Sequence, residues 1–296
     1  MRNWKGKVAV ITGAGSGMGE AMAHRFAKAG MRIVVADIDL PAAERVSADI
    51  VATGGDAIPF KVDVCSEDNV QALADKAWDH FGSVDVLCNN AGVVPSGRYR
   101  PIWEFPLEDW KWSFDVNLMG VVHGMRSFIP RMIAQGTDGH VVTTASVAGV
   151  VSGAGSPVYS AAKTAAVRAT EALYASLKDI GSPIGVTLLC PGLVNTNIYR
   201  SERNRPSELQ PAAGVAEETP ELKAIADNLY RSAISPETVA EMVFEAMEKR
   251  QFYLLTSDKF DHSIKLRSDA LLSRTNPNFE SLLELSKGDV DEQETA

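Results

Sequence analysis

Residues 140–163 read HVVTTASVAGVVSGAGSPVYSAAK and combine an apolar run, a small-residue loop and a helical pattern. The run from His140 to Thr144 predicts a buried strand, and Ser146 follows at its carboxyl end. The single proline of the stretch predicts the start of a helix, since proline is well tolerated in a first turn. Tyr159 and Lys163 lie four residues apart on that helix, so their side chains share one face. The stretch therefore brings a hydroxyl, a phenol and an ammonium together where a strand gives way to a loop.

These three groups are typical of a proton-transfer site. A free phenol has a pKa of about 10, which is too high for an efficient base at neutral pH. An ammonium nearby favours the phenolate and lowers that pKa, and a cationic cofactor ring would lower it further. Ser146 would then hold the oxygen of a reacting alcohol or carbonyl. The motif alone is equally compatible with Tyr159 and Lys163 sharing an exposed helix face, so the rest of the chain has to decide.

A glycine-rich turn follows the first apolar run of the chain. The run from Lys7 to Ile11 predicts a strand, TGAGSGMG occupies Thr12 to Gly19, and a helical pattern continues from Met18 to Lys28. Glycines in such a turn let the backbone approach a pyrophosphate, which the helix N-terminus stabilises. The spacing differs from the best-known dinucleotide fingerprint, and a turn without a ligand is the alternative. The residues expected to contact a cofactor here are Gly13, Ser16, Gly17, Met18 and Gly19.

A carboxylate ends the second predicted strand. Met31 to Ala36 is the strand, and Asp37 and Ile38 follow it. In a doubly wound fold this position meets the adenosine ribose, whose hydroxyls donate hydrogen bonds to a carboxylate. Asp37 would also repel a 2′-phosphate, and no basic residue lies in the turn or directly after Asp37. The sequence therefore predicts NAD rather than NADP, with a surface aspartate as the alternative.

Later strand ends carry further residues suited to a cofactor. Ala57 to Val62 and Val84 to Cys88 are predicted strands, and Ile184 to Cys190 and Phe252 to Thr256 follow the same pattern. Polar and small residues come directly after the first two. The residues expected beside the adenine or beneath the cofactor are Asp63, Val64, Asn90, Ala91 and Gly92.

The alternation of strands with helices predicts an α/β fold with a doubly wound parallel sheet of about seven strands and helices on both faces. We expect one domain over residues 1–256, because no composition break divides it, and a C-terminal extension over residues 257–296 with a disordered acidic end from Lys287. The predicted helices outside the stretches above are Pro41 to Thr53, Glu67 to Phe81, Leu107 to Ala134, Pro236 to Arg250 and Lys259 to Arg274.

Two irregular segments are candidates for substrate contacts. Val93 to Trp112 is dense in aromatic residues, which either pack this loop onto the core or line a pocket. Residues 197–235 are polar and proline-rich, with a helical piece from Glu221 to Tyr230, and such an excursion is usually a lid. Asn117 lies inside the helix that follows the first segment, where an amide has no obvious structural use and little helix propensity.

Composition excludes several classes of function. The chain has 296 residues and a net charge of −9 without a basic cluster, so we expect no nucleic-acid surface. No signal peptide or membrane-spanning run is recognisable, and a cytoplasmic location is expected. Three cysteines, far apart in the chain, fit reduced buried thiols, and five scattered histidines give no metal-ligand pattern, so no catalytic metal is expected. The cysteines are Cys65, Cys88 and Cys190.

From about Lys5 to Thr256 these motifs resemble, in order, those of the single-domain short-chain dehydrogenase/reductases, whose fold is of the Rossmann type. The matching elements are the glycine motif from Thr12 to Gly19, the Asn-Asn-Ala-Gly of Asn89 to Gly92, the tetrad Asn117, Ser146, Tyr159 and Lys163, and Pro191-Gly192 with Thr196.

The resemblance implies a hydride transfer between a nicotinamide cofactor and a secondary alcohol or its ketone. It implies that Tyr159 is the general base or acid, that Lys163 lowers its pKa and binds the nicotinamide ribose, and that Asn117 supports a proton relay. It also implies a homotetramer or homodimer, formed through the helices bearing Asn117 and Tyr159. The residues expected near the nicotinamide are Pro191, Gly192, Val194 and Thr196, and those near the substrate are Val94, Ser146, Val147, Tyr159 and Leu193.

A narrower resemblance links VNLMGVVHGM, TTASVAG and NRPSELQPAAGVAEETPE to bacterial dehydrogenases that oxidise benzylic alcohols of lignin-derived aryl ethers. The long lid and the aromatic-rich loop would suit a bulky aromatic substrate of that kind.

Three other functions are alternatives to this interpretation. A redox-silent NAD sensor or scaffold usually lacks the tyrosine or the lysine, and both are present here. A serine hydrolase would need glycines two residues either side of Ser146, where Thr144 and Ala148 stand instead. A nucleotide-sugar epimerase on the same scaffold commonly needs a larger C-terminal domain than the forty residues after Thr256 can supply.

Overall fold

A computed structural model describes residues 3–95, 101–151, 156–210 and 230–277 of the chain. The strands in these residues are β1 (Val8–Thr12), β2 (Arg32–Asp37), β3 (Asp56–Lys61), β4 (Val86–Asn89), β5 (Gly139–Thr144), β6 (Ile184–Cys190) and β7 (Tyr253–Leu255). The α-helices are α1 (Gly17–Lys28), α2 (Leu40–Ala52), α3 (Glu67–Phe81), α4 (Leu107–Phe114), α5 (Gly120–Gln135), α6 (Pro157–Asp179), α7 (Pro236–Lys249) and α8 (Asp261–Ser273).

The seven strands form one sheet in the order β3-β2-β1-β4-β5-β6-β7, and every neighbouring pair is parallel. The chain moves outward in one direction from β1 to β3, then returns to the other side of β1 with β4. This reversal leaves a crevice at the carboxyl ends of β1 and β4, where open α/β sheets bind their ligands. The predicted Rossmann-type fold is confirmed.

Both faces of the sheet are covered, and alternate residues of one strand pack into different layers. Ala9 and Ile11 of β1 belong to an apolar cluster that includes residues of α1, α2 and α7. Val8 and Val10 belong to a second cluster with residues of α3, α5 and α6. All five residues of β1 are buried, which explains why its sequence is continuously apolar rather than alternating.

Local sequence signals place several helix ends as predicted. Pro157 stands at the start of α6, directly after Ser156. The hydroxyl of Ser235 accepts a hydrogen bond from the backbone N–H of Thr238 at 3.2 Å, so Ser235 caps α7. The strand predicted from Phe252 to Thr256 is shorter, covering only Tyr253–Leu255.

The predicted helix from Leu107 to Ala134 has an irregular centre. Helices α4 and α5 are joined by a π-helical turn, Asp115–Met119, which contains Asn117. A π-turn adds a residue to the helical repeat, and such turns often lie at functional sites. The apolar periodicity continues through the turn, which is why the sequence predicts an uninterrupted helix.

The predicted lid is described only in part. Its first residues form two short 3₁₀-helices, Ile198–Asn204 and Ser207–Leu209, and residues 211–229 lie outside the described part of the chain. The predicted helix from Glu221 to Tyr230 therefore falls almost entirely outside it, as does the acidic C-terminal end. Among the described helices, none has both the length and the hydropathy needed to cross a bilayer.

Candidate active site at the carboxyl edge of the sheet

A cleft of about 310 Å³ lies along the carboxyl ends of the strands. Of the residues that the sequence predicts for cofactor, substrate or chemistry, all but Gly19 and Asn117 line it. The predicted residues that line the cleft are Gly13, Ser16, Gly17, Met18, Asp37, Ile38, Asp63, Val64, Asn90, Ala91, Gly92, Val94, Ser146, Val147, Tyr159, Lys163, Pro191, Gly192, Leu193, Val194 and Thr196.

The glycine-rich turn needs glycine for backbone conformation and for close approach. Gly13 and Gly17 have φ values of 64° and 58°, in the left-handed region that other residues rarely adopt. A Cβ atom on Gly13 would lie 2.9 Å from the Cα of Ala91. Gly19 faces away from the cleft, and a Cβ there would lie 2.1 Å from the carbonyl oxygen of Gly13. Because Gly19 has no side chain, the first turn of α1 can pack directly against the glycine-rich turn.

The Asp37 carboxylate is buried and accepts two backbone hydrogen bonds. Its Oδ2 accepts from the N–H of Gly15 at 2.8 Å, and its Oδ1 accepts from the N–H of Asp39 at 3.0 Å. Arg45 donates to the carbonyl oxygen of Gly15 at 3.0 Å and forms an ion pair with Glu20 at 2.7 Å. The carboxylate and the turn thus fix each other. Arg45 is not predictable from the sequence, because nothing near it in the chain marks it as part of the turn.

Asn90 joins three strands beneath the cleft. Its backbone N–H donates to the hydroxyl of Thr12 at 3.0 Å, and its side-chain amide donates to the carbonyl oxygen of Thr12 at 3.0 Å. The hydroxyl of Thr144 donates to the side-chain oxygen of Asn90 at 3.1 Å. An amide supplies both the donor and the acceptor that this position requires. It stabilises the crevice between β1, β4 and β5.

The hydroxyl, the phenol and the ammonium of the α6 motif meet at the cleft. The Oγ of Ser146 accepts a hydrogen bond from the N–H of Ala148 at 3.1 Å, which orients the hydroxyl. The Nζ of Lys163 lies 5.7 Å from the centre of the Tyr159 ring and donates to the carbonyl oxygen of Thr144 at 2.8 Å. The exposed-face alternative is wrong for Lys163, whose relative exposure is 1%.

Burial changes the acidity of Lys163. Removal from water lowers the pKa of its ammonium to about 8, and the nearby Cys190 acts in the opposite direction. At neutral pH the side chain is still mainly protonated, so it retains a positive charge 5.7 Å from the centre of the Tyr159 ring. A positive charge near a phenol generally favours the phenolate form.

Asn117 lies behind the cleft, in the π-turn. Its amide nitrogen donates to the carbonyl oxygens of Val93 and Ser113 at 2.9 and 3.0 Å, and its Oδ1 accepts from the N–H of Val93 at 3.1 Å. A Cβ atom on Gly92 would lie 3.1 Å from this Oδ1 and 3.3 Å from the Nζ of Lys163. The amide therefore has a structural use that the sequence did not show: it holds the chain after β4 next to Lys163.

Several apolar lining residues were not predicted individually. Trp112 lines the cleft and is buried, whereas Phe105 is buried outside it and Trp103 is 81% exposed. Both interpretations of the aromatic-rich loop thus hold for different members, and Tyr99 lies outside the described residues. The other unpredicted apolar lining residues include Val116, Ile198, Tyr230 and Phe260. They come from segments far apart in sequence, and no local pattern marks them.

No group of three or more histidine, cysteine or acidic side chains in the described residues is placed to hold a metal ion. The three cysteines are free thiols, and Cys88 and Cys190 are buried.

Comparisons with known proteins agree with this geometry. A family model described as short chain dehydrogenase matches residues 7–207. A short chain dehydrogenase/reductase from Burkholderia phymatum, solved in complex with NAD, is 41% identical with a TM-score of 0.87, over 95% of this chain and 99% of that one. A 1-deoxy-11-beta-hydroxypentalenate dehydrogenase from Streptomyces exfoliatus is 37% identical, over 88% of this chain and 86% of its own length. A C alpha-dehydrogenase from Sphingobium sp. strain SYK-6 is 31% identical, over 94% of this chain and 89% of its own length. On the strength of the motifs, the fold and these matches, the chain belongs to the short-chain dehydrogenase family of oxidoreductases.

Proposed function

We propose that this chain is an NAD(H)-dependent dehydrogenase that interconverts a secondary alcohol and its ketone. The observation that carries the proposal is the convergence of Ser146, Tyr159 and Lys163 on one cleft, opposite the glycine-rich turn and Asp37. A redox-silent sensor would need the cofactor end of this cleft but would have no use for the buried lysine beside the tyrosine.

The cofactor end of the cleft fits a dinucleotide. Left-handed glycines bring the backbone to the site of a pyrophosphate, and the Asp37 carboxylate stands where a ribose would present its hydroxyls. The similarity to the Burkholderia phymatum protein, which was solved with NAD, supports the same cofactor here. NAD, when bound, supplies the acceptor for the hydride of an alcohol, and NADH supplies the hydride for a ketone.

The polar residues of the cleft manage the proton. In our proposal Tyr159 takes the hydroxyl proton when the alcohol is oxidised and returns it when the ketone is reduced. Lys163 keeps the phenol acidic enough for that exchange, because its buried charge stabilises the phenolate. Ser146 holds the substrate oxygen by a hydrogen bond, and Asn117 holds the backbone that positions Lys163 and supports the relay of the proton to solvent.

The substrate end of the cleft suits a bulky apolar molecule. Val94, Trp112, Val116, Leu193 and Tyr230 line it and offer largely hydrocarbon surface. One similar protein is named for a hydroxypentalenate and another is a C alpha-dehydrogenase, and the narrower sequence resemblance is to benzylic-alcohol dehydrogenases. We infer a bulky cyclic or aromatic secondary alcohol as the substrate class.

The assembly is inferred from the family resemblance, and the location from the sequence features described above. We propose a cytoplasmic homotetramer or homodimer, formed through the helices α5 and α6.

The test of this function is the NADH absorbance band, followed with NAD and separately with NADP over a panel of aliphatic, benzylic and polycyclic secondary alcohols. We expect the band to grow with NAD and a bulky alcohol, and to grow much less with NADP. Protein that binds NADH but shows no growth with any alcohol, and no NADH consumption with the matching ketones, would favour the sensor instead.

A further inference from the structure

Four charged side chains line the described cleft, and one of them has no part in the proposed function. The four are Asp37, Asp63, Lys163 and Arg203. Asp37 and Asp63 lie at the ribose and adenine end, and Lys163 lies beside Tyr159. Arg203 comes from the 3₁₀-helix Ile198–Asn204, at the start of the predicted lid. Arg203 is exposed, and it is the only charged residue that this segment contributes to the described lining.

The guanidinium of Arg203 is held by one nitrogen only. Its Nη1 donates to the carbonyl oxygens of Asn197 and Arg200 at 3.1 and 2.9 Å. Within the described residues, the Nε–Nη2 edge makes no hydrogen bond and the guanidinium has no carboxylate partner. This edge is the fork that binds carboxylates with two parallel hydrogen bonds. Arg25 uses the same edge to bind Glu241 at 2.5 and 2.9 Å elsewhere in the molecule.

The segment that carries Arg203 is fastened to the substrate end of the cleft. Two residues before it, the hydroxyl of Ser201 accepts a hydrogen bond from the N–H of Val94 at 3.2 Å. Two residues after it, Arg205 forms a buried ion pair with Asp109 at 2.6 Å and lies 4.9 Å from the Trp112 ring. Val94 and Trp112 are both substrate-end lining residues, whereas a pyrophosphate already has the glycine-rich turn.

We propose that Arg203 binds an acidic group of the substrate, so that the preferred substrate is an apolar secondary alcohol or ketone that also carries a carboxylate. This inference rests on the proposed function and adds the recognition of the substrate to it. The fixed Nη1 leaves the Nε–Nη2 fork as a preorganised carboxylate site, and because Arg203 is exposed the fork is accessible to an incoming ligand.

The test measures binding to the full chain loaded with NADH, through the immediate quenching of NADH fluorescence on rapid mixing, before turnover consumes the NADH. The ligands are matched oxo-acids and their neutral amides: para-acetylbenzoate with para-acetylbenzamide, a cyclohexanone carboxylate with its amide, and a straight-chain oxo-acid with its amide. For at least one pair we expect the wild type to bind the acid at least about tenfold more tightly than the amide, the size of a charge-assisted hydrogen bond.

Arg203→Gln should reduce that preference to about twofold or less, and Arg203→Lys should retain part of it, because a lysine keeps the charge but lacks the planar fork. Arg200→Gln is the matched control: it removes a positive charge from the same 3₁₀-helix, at a side chain that does not line the described cleft, and should leave the preference unchanged. NADH affinity should be equal in all four proteins.

Three results would overturn the inference. They are an equal affinity for acid and amide in every wild-type pair, an unchanged preference in Arg203→Gln, and a loss of NADH affinity in Arg203→Gln that leaves the acid preference intact. The last would assign Arg203 to the cofactor diphosphate. A wild type that binds no NADH would instead refute the proposed function itself.

Discussion

Lys163 combines a charge with nearly complete burial beside the proposed catalytic Tyr159. The ammonium has one backbone acceptor, the carbonyl oxygen of Thr144, and no carboxylate partner within salt-bridge distance in the described residues. Burial of a charge without a counter-ion is unfavourable for folding. In the proposed reaction the same charge would stabilise the Tyr159 phenolate, which would account for a residue that costs stability at this position.

The lowered pKa of Lys163 predicts how stability changes with pH. Below a pH of about 8 the lysine is protonated in both the folded and unfolded chain. Between about 8 and the ordinary value of 10.5 the unfolded chain binds a proton that the folded chain does not, so rising pH favours the folded state. Relative to Lys163→Met, the wild-type free energy of unfolding should rise by up to roughly 3 kcal/mol across this window. Urea titrations of both proteins at several pH values measure it, and parallel curves would mean that Lys163 titrates normally.

Asp37 predicts cofactor preference at the same scale. Asp37→Asn keeps a side-chain oxygen for the N–H of Gly15 but removes the charge that repels a 2′-phosphate. The preference for NAD over NADP, measured as the ratio of kcat/KM values, should fall by at least about tenfold. Asp39→Asn, a neighbouring carboxylate outside the cleft lining, is the control and should change the ratio little. A ratio that is the same in Asp37→Asn and the wild type would assign cofactor choice to other residues.

At the scale of elements, two contacts between distant segments stabilise the shape of the cleft. The π-turn Asp115–Met119 carries Asn117, whose side-chain oxygen accepts a hydrogen bond from the N–H of Val93. This contact fixes α4 and α5 against the chain after β4. The ion pair between Asp109 of α4 and Arg205 fastens the segment after the 3₁₀-helix Ile198–Asn204 to α4, and both side chains are buried. Each contact links residues that lie at or beside the cleft but are distant in sequence.

The Asp109–Arg205 ion pair predicts that a single substitution lowers stability strongly. Asp109→Asn removes the shorter of the two carboxylate contacts of the buried Arg205 and leaves only the one to Glu202 at 3.3 Å. It should lower the free energy of unfolding by about 3 kcal/mol, the lower end of the range for a broken buried ion pair. KM for the substrate should rise as well, because Ser201 and Arg203 belong to the fastened segment. Lys111→Gln breaks the exposed ion pair with Asp115 in the same helix and should cost less than about 1 kcal/mol. Equal losses in the two variants would show that the buried pair does not hold the segment.

These elements show a physical reason why some features of the site can be predicted from sequence and others cannot. Strand ends such as Asp37 and Asn90 are found from sequence, because apolar runs mark strands and parallel topology brings their carboxyl ends to one edge. The π-turn is invisible, since apolar periodicity continues through it. The pairing of Asp109 with Arg205 depends on an irregular segment that has no period, and only the fold brings those two residues together.

At the scale of the whole molecule, the cleft is formed by residues from Gly13 to Phe260, which span most of the described chain. Residues at or just after the carboxyl ends of β1 to β6 line it, and so do residues of the segment 191–206. Phe260, which precedes α8, packs so closely that a Cβ on Gly192 would lie 2.9 Å from its ring. The C-terminal part of the chain thus completes a site whose first residues lie in the glycine-rich turn.

The most direct test of the account is the turnover and NADH affinity of Tyr159→Phe, measured beside Tyr174→Phe as a control on the same helix. Removal of the Tyr159 hydroxyl should lower kcat by about a thousandfold, because general acid–base catalysis is lost, while the Kd for NADH stays within about twofold of the wild-type value. Tyr174→Phe, which alters a half-exposed ring far along α6, should leave both unchanged. Turnover by Tyr159→Phe at the wild-type rate would contradict the central claim that this phenol carries the proton.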